Sequence, residues 1–159
     1  MGSIRVFLDT DVLINWLAKE VDPNTGMKLW EKPYRILKMI EKGKISGATS
    51  LINLMEIIFV LRRKKRWRDE DIVSRVGMIQ EMPGFAILIP TESDMIAAYN
   101  LQTVFRLDPF DSVYFAMARN KVDHLITRDA EFIEIVNSAE NRNFAMTPEQ
   151  FVESVKKSE

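Results

Sequence analysis

Two rhythms of apolar residues alternate along the chain. Short apolar runs of strand length are followed by longer stretches in which apolar residues return every three or four positions. Ile4–Leu8 (IRVFL) reads as a buried strand, and after Asp9-Thr10-Asp11 a helix opens at Val12–Leu17. Glu20–Lys32 is polar, carries Asp22-Pro23-Asn24 and Gly26, and reads as a loop. Pro33–Glu41 returns to helix and Gly43 stops it. Ile45–Thr49 is a second strand, leading into a helix over Ser50–Arg62. Asp69–Met82 is an amphipathic helix ended by Pro83-Gly84, and Phe85–Ile89 is a third strand. Thr91–Asp94 has the form of a capping box and starts a helix running to about Phe105.

The stretch Leu107–Phe132 carries the densest signal. Asp108-Pro109 is a helix start, with Asp at the N-cap and Pro at the first helical position. The helix body Val113–Ala118 is apolar on nearly every side, so burial is expected. Val122–Thr127 follows as a strand and Ala130–Val136 as a short helix. Ser138–Asn143 reads as a polar loop, Phe144–Met146 as a short edge strand, and Pro148–Lys157 as a terminal helix. Strands and helices mostly alternate. This pattern predicts an α/β fold: one domain over residues 1–159, with a central, mainly parallel sheet of about four to five strands and helices on both faces.

Composition narrows the chemistry. At 159 residues the chain is long enough for one domain with a real core. A net charge of −1 means that any nucleic-acid contact needs a local patch. With no cysteine, disulfides and thiolate metal sites are excluded, and a reducing, cytoplasmic setting is expected. No signal peptide is expected, since the first strand begins within the first few residues, and no apolar run reaches the ~18 residues of a membrane span. His124 is the single histidine and reads as a strand-start residue without a catalytic role. A Ser/His/Asp or Cys/His engine and a zinc centre are therefore not expected, and no glycine-rich phosphate loop is present.

Polar residues that interrupt this order are the candidates for function. Asp9 and Asp129 end strands, and Asp111 stands at the third position of the buried helix. On the helix Ser50–Arg62, positions 51 to 61 are apolar except Asn53 and Glu56. At ~100° per residue, Thr49, Asn53, Glu56 and Arg63 share a sector of roughly 80°. A Glu on such a seam faces either a structural salt bridge or a functional site, since an unpaired one is costly. Asp11 is either a helix cap or a ligand. In a parallel sheet, Asp9, Asp111 and Asp129 fall at one edge, where open α/β sheets hold their sites. Several carboxylates in one pocket repel unless a cation neutralises them, and an all-oxygen set selects Mg²⁺ or Mn²⁺. Such ions activate water against phosphoryl groups, so the four acids suggest phosphodiester hydrolysis.

Arg62–Arg68 (RRKKRWR) is either a solvated helix end or a phosphate-binding patch in which Arg62, Arg63, Lys64, Lys65, Arg66 and Arg68 grip a polyanion and Trp67 stacks a base. Eight residues at ~1.5 Å put Lys64 about 12 Å from Glu56 along the helix.

FLDTDVLINWL at 7–17, TSLINLMEII at 49–58 and FDSVYFAMARNKVDHLITRDAEF at 110–132 resemble the PIN-domain nucleases, most closely the VapC-type toxins of toxin–antitoxin pairs. Asp9, Glu56, Asp111 and Thr127-x-Asp129 match that family's acids in order. The resemblance implies a single PIN-like domain and an endoribonuclease that cuts RNA through metal-activated water, leaving 5′-phosphate and 3′-hydroxyl ends. It implies that Asp9 and Asp111 bind Mg²⁺ or Mn²⁺ directly and that Glu56 and Asp129 complete the site. Asp11, Asn53, Asp108 and Thr127 would support it. It also implies a homodimer and a small antitoxin that inhibits by occupying the site. Two alternatives stay open: a non-catalytic RNA- or partner-binding domain of the same shape, and a haloacid-dehalogenase-like phosphatase. The second is suggested by Asp9-x-Asp11, although Val12-Leu13 stands where that chemistry usually has Gly-Thr.

Overall fold

Five strands, β1 (Arg5–Leu8), β2 (Ser46–Ser50), β3 (Phe85–Leu88), β4 (His124–Ile126) and β5 (Ala145–Met146), pair in parallel in the order β3-β2-β1-β4-β5. The computed structural model describes residues 3–158, so residues 1, 2 and 159 of the expected single domain lie outside the described residues. Eight helices are seen among the described residues: α1 (Thr10–Leu17), α2 (Glu31–Glu41), α3 (Leu51–Arg63), α4 (Asp69–Glu81), α5 (Glu92–Phe105), α6 (Pro109–Ala118), α7 (Ala130–Glu140) and α8 (Pro148–Lys157).

Strand alternation builds two cores, one on each face of the sheet. Val6, Leu8 and Ile126 point to one face, where Leu13, Ile36, Ile57, Val76 and Phe151 bring α1, α2, α3, α4 and α8 against them. Phe7 and Leu125 point to the other, where Ala98, Phe115 and Phe132 bring α5, α6 and α7. The central strand is thus apolar on both faces, as a doubly covered parallel sheet requires. Phe7 and Tyr114 pack with ring centroids 6.1 Å apart, which locks α6 against β1. Truncating a buried phenylalanine of this kind costs roughly 3–5 kcal/mol, so the contact is a firm anchor. Gly47 in β2 is required sterically, because a Cβ there would run into the Ile40 and Phe85 side chains.

Several boundaries differ from the sequence expectation. The first helix starts at Thr10 rather than Val12, and its N-cap is Asp9, whose carboxylate accepts from the Thr10 N–H at 2.7 Å. Asp11 lies inside the first turn and is not the cap. The Asp9 N–H still bonds the Ile126 carbonyl at 3.0 Å, so the chain turns into helix straight from the sheet. α2 begins at Glu31, two residues before Pro33, because an imino acid is tolerated in a first turn that has no intrahelical donor duty. The expected loop before it contains a small hairpin: Val21 bridges Lys28, and the Asp22 side chain accepts from the Asn24 N–H at 2.8 Å. α7 runs on to Glu140, so the expected polar loop at 138–143 shrinks to a turn led by Asn141 in the left-handed region.

The chain winds from β1 through β2 to β3, then crosses to β4 and β5 on the other side. The reversal falls between β1 and β4, whose paired ends are Leu8 and Ile126. A crevice at the carboxyl ends of the strands is the expected place for a ligand in such a sheet.

Candidate active site

Asp9 and Thr127 follow the paired ends of β1 and β4 and therefore stand side by side. The Thr127 hydroxyl, fully buried, donates to Asp9 Oδ2 at 2.8 Å. It also lies 3.4 Å from Asp11 Oδ2, which accepts the Arg128 N–H at 3.0 Å. Asp11 Oδ1 is buried with no hydrogen-bond partner among the described residues, a bare acceptor. The turn that carries these donors is held from behind. The Arg128 guanidinium donates to Asn15 Oδ1, to the Glu149 carboxylate of α8, and to the Leu29 carbonyl at 2.8 Å.

Glu56 reaches the same region from α3. Its Oε1 accepts from the Thr10 hydroxyl at 2.9 Å and from the Tyr114 hydroxyl. No ion pair to Glu56 exists among the described residues, so the salt-bridge reading of this residue gives way to a hydroxyl-bonded one. Asn53 is fully buried and links the two halves: Nδ2 donates to Thr10 Oγ1 at 3.0 Å and lies 3.5 Å from Asp9 Oδ1. Its Oδ1 accepts from the Ser50 N–H and hydroxyl, closing a capping box at the start of α3.

The α6 N-terminus supplies the third wall. Asp108 is the N-cap, accepting from the Phe110 and Asp111 N–H groups at 2.8 and 3.3 Å. Asp111 is then at the third helical position, and its carboxylate accepts no hydrogen bond among the described residues. Asp129 caps α7 through the Phe132 N–H at 3.1 Å and is exposed. Asp108, Asp111 and Asp129 border one cleft of about 170 Å³, together with Arg106, Glu131 and Phe132.

These acids feel one another. Burial pushes Asp111 up to about 7, with Asp108, Asp129, Glu56 and Asp11 adding repulsion. Burial pushes Asp11 to about 6 against its hydrogen bond from Arg128. Asp9 is raised well above the usual carboxylate range, by burial first and then by Asp11. Burial and the adjacent Glu56 together raise the Tyr114 hydroxyl, which stays a donor. Three carboxyls held above their ordinary range and an unpartnered buried oxygen fit a divalent cation, whose charge would relieve all of them. No three acids or imidazoles among the described residues are already posed as a ligand cage. Asp9 has both oxygens engaged, by the Thr10 N–H and the Thr127 hydroxyl, while Glu56 and Asp129 each engage one.

Of the residues singled out from the sequence, Asp9, Glu56, Asp111 and Asp129 are drawn to one edge, with Asp11, Asn53, Asp108 and Thr127 among them. Arg62–Arg68 lies elsewhere, because α3 runs away from that edge. There Arg62 pairs with Asp69, Lys65 with Glu20 and Arg68 with Glu70, while Trp67 is half buried against the core. Sequence reasoning missed Thr10, Tyr114 and Arg128. Tyr114 was findable, since three positions after Asp111 on a helix it shares that face. Thr10 and Arg128 had no signal, because their partners are long-range.

A family model described as the PIN domain matches residues 6–137. Among solved structures, VapBC2 from Rickettsia felis bound to a DNA fragment from their promoter has a TM-score of 0.66 at 16% identity, over 91% of this chain and 98% of the other. A toxin-antitoxin complex from Klebsiella pneumoniae scores 0.61 at 19% identity, over 90% and 97%. Mycobacterium tuberculosis VapC20, a sarcin-ricin loop cleaving toxin, scores 0.62 at 18% identity, over 86% and 95%. These likenesses speak to the fold. No curated protein matches the chain by sequence.

Proposed function

The chain belongs to the PIN-domain family, and we propose that it is a Mg²⁺- or Mn²⁺-dependent endoribonuclease acting as the toxin of a toxin–antitoxin pair. What supports this most is the gathering of Asp9, Asp11, Glu56, Asp111 and Asp129 at the β1/β4 switch point, three of them pushed up in pKa and one oxygen left bare. Asp9 and Asp111 would hold the cation, with Asp129 and Glu56 completing the site and the unpartnered Oδ1 of Asp11 available to it. A cation bound there would polarise a phosphodiester and make a water molecule acidic enough to attack it. Thr127 and Asn53 orient Asp9, and Asp108 fixes the first turn of α6 so that Asp111 faces inward. Glu56 has Oε1 saturated by two hydroxyls, which leaves Oε2 to orient the attacking water and take its proton.

The partners follow in the same spirit. VapC20 is described as a sarcin-ricin loop cleaving toxin, and the Klebsiella relative as a toxin-antitoxin complex. The first supports RNA as the substrate and the second an antitoxin partner, and for this chain we propose both, acting in the cytoplasm. Leu51, Met55 and Phe59 lie four residues apart on α3 and are 43%, 64% and 57% exposed. An apolar stripe of this kind favours a homodimer. No helix among the described residues is long and apolar enough to cross a membrane.

The test is direct. A labelled single-stranded RNA is incubated with the protein in EDTA, then with Mg²⁺ or Mn²⁺, and the product ends are identified. Cleavage that needs the cation, leaves 5′-phosphates and disappears in Asp111→Asn supports the proposal. An intact RNA under every condition, with binding retained, would favour the non-catalytic alternative.

A further inference from the structure

Arg106 occupies a position that a residue with a Cβ normally avoids. It is the C-cap of α5 with φ 54° and ψ 39°, in the left-handed region. Glycine or asparagine ordinarily takes such a place, and Asn141 does so at the corresponding end of α7. An arginine there carries a strain of about 1 kcal/mol or more. Its capping bond, from its N–H to the Gln102 carbonyl at 3.0 Å, would be made equally by glycine.

The side chain does not repay the strain within the protein. Arg106 borders the cleft formed by Asp108, Asp111, Asp129 and Glu131 and is the one basic residue lining it. Yet its guanidinium makes no ion pair or hydrogen bond among the described residues. Arg128, the residue after Thr127, contrasts sharply: its guanidinium is taken up by Asn15, Leu29 and Glu149. The acidic rim by itself would repel a polyanion, and the basic run lies at the far end of α3.

We propose that Arg106 is a substrate-binding residue: its guanidinium grips a phosphodiester of the RNA strand at the mouth of the acidic cleft. This rests on the nuclease reading above and adds the group that holds the anion. A planar fork with parallel N–H donors matches a phosphate bidentately, and it keeps its charge at any working pH.

The test uses the intact protein with Arg106→Gln, Arg106→Lys and Arg106→Gly. RNA binding is measured in EDTA across a salt series, cleavage with Mn²⁺, and stability by urea unfolding. Arg106→Gln is expected to weaken binding and raise KM about tenfold, one charge-assisted contact, with kcat within about twofold. The log–log salt slope should flatten by about 0.7. Arg106→Lys should recover part of the affinity. Arg106→Gly should bind as poorly as Gln while unfolding at equal or higher urea, because the strain is gone. Unchanged affinity and slope in Arg106→Gln overturn the proposal. So does a loss of stability in the Gly and Gln variants that accounts for the binding defect. If the parent binds RNA in this Arg106-dependent way but never cleaves it, the nuclease reading fails and the binding role stands.

Discussion

Asp11→Asn should make the metal-free protein more stable and the metal-bound protein less so. In the folded state Asp11 Oδ2 accepts the Arg128 N–H, but Oδ1 is buried and unpartnered. Burial lifts this carboxyl from 3.8 to about 6. The sign follows from linkage. Between these values the folded chain holds a proton that the unfolded chain has released, so stability falls as pH rises from about 4 towards 7. At pH 8 a carboxyl held at about 6 rather than 3.8 in the folded chain destabilises it by on the order of a few kcal/mol. Asparagine has the same shape without the charge, and its amide N–H groups can face the carboxylates of Asp9 and Asp129, whose charges couple to Asp11. Allowing for the weaker bond to Arg128, a gain of about 1–3 kcal/mol is expected, or a Tm higher by roughly 2–10 °C for a chain of this length. Thermal unfolding by circular dichroism in EDTA at pH 8 measures it, and the gap between the two proteins should close near pH 4. Mn²⁺ should then raise the Tm of the parent markedly and that of the variant little, since only a protein that binds the ion gains from it. A variant that melts below the parent in EDTA at pH 8 would mean that the Asp11 charge stabilises the helix start, and equal gains with Mn²⁺ would place Asp11 outside the cation site.

Three further outcomes are expected. Tyr114→Phe removes one of two hydroxyls from Glu56, so it should lower stability by about 1 kcal/mol and kcat by at least tenfold while leaving the KM for RNA unchanged; equal falls in both would point to general disruption. Asp111→Asn keeps the shape of the first turn of α6, so its urea midpoint in EDTA should match or exceed the parent's while cleavage is lost; retained cleavage would reduce Asp111 to a structural role. Replacing Arg63, Lys64 and Arg66 by glutamine should weaken RNA binding alike for every sequence and flatten the salt slope by up to about 0.7 per contact, with turnover at saturating RNA intact; an unchanged slope would make the run a solvated helix end.

Periodicity and punctuation made most elements legible. Val113–Ala118 is apolar all round and is buried all round, and Thr91 with Asp94 forms the capping box its spacing announces. Asp108-Pro109 starts α6 as written. Such signals are local: a cap, a 3.6-residue rhythm and a glycine stop act within a few residues, so one sequence window contains their cause. The alternation of strand and helix determined the parallel, doubly covered sheet in the same way, because few other layer arrangements bury both faces.

Long-range pairing decided the rest. That β4 rather than β2 carries the neighbour of Asp9 depends on strand order, which no window contains. Asp9 became the cap of α1 because its N–H stays bound to Ile126 while the chain turns, a constraint that local cap preference cannot express. Glu56 could be recognised as a polar residue on an apolar helix, but its partners, Thr10 and Tyr114, are 46 and 58 residues away. The acids were written in the sequence; which hydroxyls hold them, which oxygen stays bare and how high their pKa values climb are properties of burial and mutual distance, and these exist only once the two cores have closed on the sheet.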